Sequence, residues 1–139
     1  MKLSENFSLE ELTTTNTGLA NVPGAAELEK MKALVEHVLQ PLRNLFGESI
    51  TVTSGYRSPV VNRRVGGAAT SQHVKGEAAD IVCRDKATAF NIIRAHLQFD
   101  QLIWEEGNNF QPDWIHVSFK RSGNRGQVLK YKYGIYSAM

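Results

Sequence analysis

His73 and Asp80 bracket most of the stretch SQHVKGEAAD, in which Gly76, Ala78 and Ala79 leave little bulk to keep the two side chains from turning toward one ion. An imidazole and a carboxylate suit a borderline divalent cation. A second imidazole lies far downstream: His116 in PDWIHVS, within an alternating apolar run that reads as a strand. Two imidazoles and one carboxylate, with no fourth protein ligand in evidence, are the inventory of a catalytic zinc site that keeps a position open for water. Singly, each residue reads more simply as a packed histidine or a capping aspartate. Together they favour a Zn2+-dependent hydrolase.

The elements that must position these residues follow from local pattern. Alternation puts Ala78, Asp80 and Val82 on one face of a strand and Trp114, His116 and Ser118 on one face of another, so Asp80 and His116 meet if the two strands are neighbours. His73 then reaches in from the preceding loop. Upstream, Ser8 with Glu11 forms a capping box for a short helix. Leu28, Met31, Leu34, Val35, Val38, Leu39, Leu42 and Leu45 recur at helical period between Ala25 and Phe46, with Pro41 expected to kink the helix and Gly47 to stop it. Ile50 to Ser54 reads as a strand. Ser58 and Pro59 open a short helix that Gly66 and Gly67 end, so Arg57 sits at a strand-to-helix corner. Asp85 caps a helix over 86–97, and strands are predicted over 101–105, 114–120 and 127–133. His37 and His96 fall off the apolar stripes and read as surface residues. The late connections are too short for crossover helices, which predicts an α+β fold with a largely antiparallel sheet.

With 139 residues, the chain fits one domain, 1–139. Apolar residues at 42% and charged ones at 22% exclude disordered and fibrous classes. A net charge of +2 is too small to single out an anionic partner. Arg63, Arg64, Lys120, Arg121, Arg125, Lys130 and Lys132 are scattered and read as a solvated face, so no nucleic-acid partner is expected. Cys83 is the single cysteine; it admits no internal disulfide and reads as a small buried hydrophobe. No stretch is long enough to span a bilayer, and the N-terminus lacks a signal-peptide core. The expectation is a cytoplasmic product as made, acting as a monomer without a membrane partner.

S-x-H-x-x-G-x-A-x-D at Ser71 to Asp80 and W-x-H-x-S at Trp114 to Ser118, with SGYRS around Arg57, resemble the M15 family of zinc peptidases, the D-alanyl-D-alanine carboxypeptidase and dipeptidase group that includes bacteriophage endolysins. The resemblance implies that His73, Asp80 and His116 bind zinc, that Asp113 is the catalytic carboxylate and that Arg57 orients substrate. Ser71 and Gln111 are further substrate-binding candidates, Gln111 standing where some relatives have a histidine. It also implies the fold shared with the Hedgehog signalling domain, an antiparallel sheet flanked by helices, a peptidoglycan peptide as substrate and, for a sequence without a signal peptide, delivery to the cell wall by a phage. Chemically, zinc would acidify a water, Asp113 would take its proton, and the planar fork of Arg57 would hold a terminal carboxylate. Alternation alone puts Asp113 and His116 on opposite faces, which requires Asp113 to precede regular pairing. Glu105 is the reserve candidate for the base. A zinc-stabilised binding module of the same fold, without catalysis, is the competing reading.

Overall fold

The computed structural model describes all 139 residues. Ser8 caps α1 (Leu9–Leu12) by accepting from the Glu11 amide at 3.2 Å. The long helical stretch is α2 (Ala25–Leu34), a π turn (Val35–Leu39) and α3 (Gln40–Phe46) in unbroken succession. The wide turn answers Pro41. Gln40 N–H bonds the Val35 carbonyl five residues back, which opens the ladder where the proline ring would otherwise meet a carbonyl. Gly47 ends the helix at φ 80°, the left-handed conformation glycine adopts without penalty.

Ser58 caps α4 (Pro59–Arg64) and Asp85 caps α5 (Lys86–His96). Six strands form one sheet: β1 (Thr51–Ser54), β2 (Ala78–Val82), β3 (Gln101–Glu105), β4 (Trp114–Ser118), β5 (Gln127–Lys132) and β6 (Ile135–Ala138), in the order β1-β2-β4-β3-β5-β6. The fold is α+β, as expected. One pairing departs from the antiparallel expectation: β3 and β5 run parallel. Their crossover, residues 106–126, is made by β4 and its loops in place of a helix. The sixth strand extends the predicted pattern, returning through the Tyr133–Gly134 turn, whose φ angles of 54° and 76° give the twist of a two-residue hairpin.

The two faces of the sheet have different fates. Val52, Ala79, Ile81, Leu102, Trp104, Ile115 and Val117 point to one side and join Met31, Leu34, Val38, Leu39, Leu42, Phe90 and Ile93 of the helices in a single buried cluster. Phe90 meets Trp104 edge to face at 5.2 Å. The opposite face carries Asp80, His116, Ile103, Glu105 and Tyr131, adjacent in register across β2, β4, β3 and β5. No helix is long and apolar enough to cross a membrane.

Candidate metal centre

Asp80 and His116 face each other directly in the β2–β4 ladder, so the pleat alone brings their side chains together. His116 Nδ1 lies 3.3 Å from Asp80 Oδ1. His73 arrives from the turn before β2, its Nε2 3.4 Å from the same oxygen. Ligand atoms of the three residues all fall within 4.8 Å of one another. Two donors each ~2.1 Å from a tetrahedral ion stand about 3.4 Å apart, so the separations of each histidine nitrogen from Asp80 Oδ1 suit a small divalent cation.

His73 is held rigidly. Its Nδ1 donates to the Gly55 carbonyl at 2.7 Å, which turns Nε2 toward Asp80 and the cleft, and its own carbonyl accepts from the Arg57 amide at 3.0 Å. Gly55 admits no side chain, because a Cβ there would lie 2.3 Å from the Leu12 carbonyl. Helix α1 is thereby tied to the corner that holds the ligand. Gly76 turns the chain into β2 at φ 78° against the Glu27 backbone, where a Cβ would lie 2.6 Å from the Glu27 carbonyl oxygen. Burial would push the Asp80 carboxyl up. Hydrogen bonds from His116 and His73 and the charge of both rings outweigh that and hold it well below the usual range.

The centre opens on a cleft of about 540 Å³. Arg57 borders it, with Nη2 3.5 Å from Asp80 Oδ2 and Nε donating to Ser54 Oγ at 3.1 Å. The close pass of Arg57 and Asn62 leaves no space for a side chain at Gly67, whose Cβ would meet Asn62 Oδ1 at 2.0 Å. Ser71 lines the cleft while its hydroxyl accepts from the His73 amide at 3.2 Å. Glu105 also lines it, only 8% exposed, and burial pushes its carboxyl up to about 7, opposed by the charge of His116 and reinforced by Asp80 and Glu106.

Two candidates lie elsewhere. Asp113 is exposed in the bend just before β4, where regular pairing has not yet begun; its amide bonds the Glu105 carbonyl at 2.9 Å, and its side chain is not among those lining the cleft. Gln111 is spent on α5, accepting from the Ala87 amide at 3.0 Å and donating to Asp85 at 2.9 Å. In their place the cleft gains Gln72, Ile103, Tyr131 and Tyr136. The tyrosine rings pack at 4.5 Å. Gln72 stood unread between two motif positions, and Tyr136 lies on the strand that sequence reasoning did not resolve.

A family model described as Peptidase M15 matches residues 5–118. The zinc D-Ala-D-Ala carboxypeptidase of Streptomyces albus G is 38% identical over 78 residues, which are 55% of this chain and 31% of that relative. The chain therefore spans less than a third of the relative's length.

Proposed function

The chain belongs to the peptidase M15 family, and on that premise we propose that it is a zinc-dependent peptidase hydrolysing the peptide stems of bacterial peptidoglycan, by removing a terminal D-alanine or cutting within the stem. The observation that carries the reading is the convergence of His73, Asp80 and His116 in a cleft that also holds Arg57 and Glu105. His73 Nε2, His116 Nδ1 and an Asp80 oxygen would hold the ion. When bound, zinc supplies Lewis acidity that polarises a carbonyl and makes water a competent nucleophile near neutral pH.

The remaining steps belong to the protein. Arg57 binds the substrate carboxylate with its fork and sets the scissile carbonyl against the three ligands. Glu105 takes a proton from the attacking water at a carboxylate oxygen. The water oxygen bonds to the carbonyl carbon, the C–N bond breaks, and the proton passes from Glu105 to the leaving nitrogen. What supports Glu105 over Asp113 is its buried position in the cleft and an affinity for protons close to neutrality. Ile103, Tyr131 and Tyr136 continue the cleft away from Arg57 and receive the acyl side of the peptide. A binding module held together by zinc needs neither an arginine fork nor a buried carboxylate beside its metal.

The test is digestion of purified peptidoglycan by the zinc-loaded protein, with and without chelator, read by mass spectrometry of the released fragments. Loss of a single alanine mass identifies a carboxypeptidase, and shortened stems identify an endopeptidase. Unchanged wall in both arms sinks the reading.

A further inference from the structure

Behind His116 runs a chain of polar contacts that ends on a buried charge. Gln72 Oε1 lies 3.1 Å from His116 Nε2, and Gln72 Nε2 donates to Asp100 Oδ2 at 2.9 Å. Asp100 is fully buried and sits just before β3, its amide bonded to the Ser118 carbonyl and its carbonyl to the Gln127 amide. Arg125 closes the chain from the far side. Its Nε donates to Asp100 Oδ1 at 3.0 Å, its Nη2 to Oδ2 at 2.8 Å and its backbone amide to Oδ1 at 3.0 Å. Lys120 Nζ adds its charge at 3.9 Å.

An ionised carboxylate accepts hydrogen bonds and donates none. Asp100 therefore obliges the Gln72 amide to turn its NH2 inward and its oxygen toward His116. That oxygen in turn obliges His116 Nε2 to carry a ring proton. Nδ1, 3.3 Å from Asp80 Oδ1, is then the nitrogen whose proton is shared with Asp80 and is given up when a cation takes its place. We propose that Gln72 and Asp100, clamped by Arg125, are positioning residues that hold the Nε2 proton of His116, so that Nδ1 is the nitrogen offered to the metal. The inference rests on the metal-centre reading but not on peptidase activity.

Its consequence is a reversal of polarity by a change of one atom in a side chain that touches no ligand. In Asp100→Asn the new NH2 can donate, Gln72 is released to turn over, and its own NH2 then faces His116 Nε2. Nε2 then gives up its proton, and the one that remains, on Nδ1, occupies the ligand position. Outer partners of metal-bound histidines typically contribute about 10–100-fold to metal affinity, and a loss of that size is expected for Asp100→Asn.

The experiment measures zinc affinity by chelator competition for the full chain, the Asp100→Asn variant and Gln72→Leu, with circular dichroism reporting the fold. Nitrogen-15 ring spectra of the zinc-loaded proteins report which His116 nitrogen keeps its proton. Expected are a slowly exchanging Nε2 proton in the wild type, its faster exchange or loss in both variants, and weaker zinc binding in both variants. Gln72→Leu keeps the question open to measurement if Asp100→Asn does not fold. Wild-type affinity in folded variants, or zinc held on Nε2 in the wild type, overturns the assignment of Gln72 and Asp100. A wild type that takes up no zinc overturns the metal centre itself, and the assignment with it.

Discussion

Replacing Glu105 by glutamine is expected to inactivate the protein and stabilise it at once. The carboxyl titrates at about 7 in the fold against 4.5 in an unstructured chain. Its folded value is raised, so it contributes nothing unfavourable below the unfolded value, where both states are protonated. The cost grows as pH climbs from 4.5 to 7 and is complete above that. At ~1.4 kcal/mol per pH unit, the ionised carboxylate costs the fold about 3 kcal/mol. Glutamine carries no charge at any pH and escapes this. Urea unfolding of the chelated protein and of Glu105→Gln, each at about pH 4 and about pH 8, isolates the effect as a difference of differences, because protonation of the histidines is common to both proteins. The variant should gain about 3 kcal/mol on the wild type between those conditions. Removing a general base should lower kcat about 100-fold or more on peptidoglycan fragments, whereas Asp113→Asn should leave turnover within about twofold. A stability difference that stays flat with pH, or activity lost in Asp113→Asn and kept in Glu105→Gln, refutes the assignment of the base.

Asp100 should show the opposite sign. Hydrogen bonds from Arg125 hold its carboxyl down, against burial, to about 2, so its stabilisation is present above the unfolded value near 3.8 and is lost as pH falls toward 2. The loss is about 2 kcal/mol, and acid unfolding curves of Arg125→Ala should lack it. Arg57→Lys keeps the charge but loses the fork, and should lower kcat/KM at least about tenfold while leaving zinc affinity unchanged in chelator titrations. Gly55→Ala puts a methyl group 2.3 Å from the Leu12 carbonyl; it should lower stability by about 1–3 kcal/mol in thermal unfolding and weaken zinc binding with it, because the Gly55 carbonyl orients His73.

The convergence of His73, Asp80 and His116 was legible because two facts of pattern bear on it. A strand's alternation fixes which residues share a face, and Asp80 and His116 each occupy a position whose neighbours on both sides are apolar and core-directed. The capped helices were legible for the same kind of local reason at Ser8, Ser58 and Asp85. What escaped notice depends on pairing at a distance. Nothing local distinguishes a parallel β3–β5 ladder from an antiparallel one. Ile135 to Ala138 is exposed along its whole length, so it shows no alternation, and its signal is confined to the turn before it. Glu105 shares a face with His116 only through the observed register, in which it stands opposite Trp114, and nothing local in QLIWE announces that. Gln72 is polar, uncharged and flanked by motif residues, and its role exists only because Asp100 lies behind it.

The hairpin of β5 and β6 lies beyond the segment shared with the family, yet Tyr131, Tyr136 and, just before it, Arg125 reach back to the cleft and to the support of His116. Translation delivers His73, Asp80 and His116, together with Gln72 and Asp100, before Arg125 and the two tyrosines. The side chains that wall the cleft and clamp its support reach the three donors only once β5 and β6 have joined the sheet.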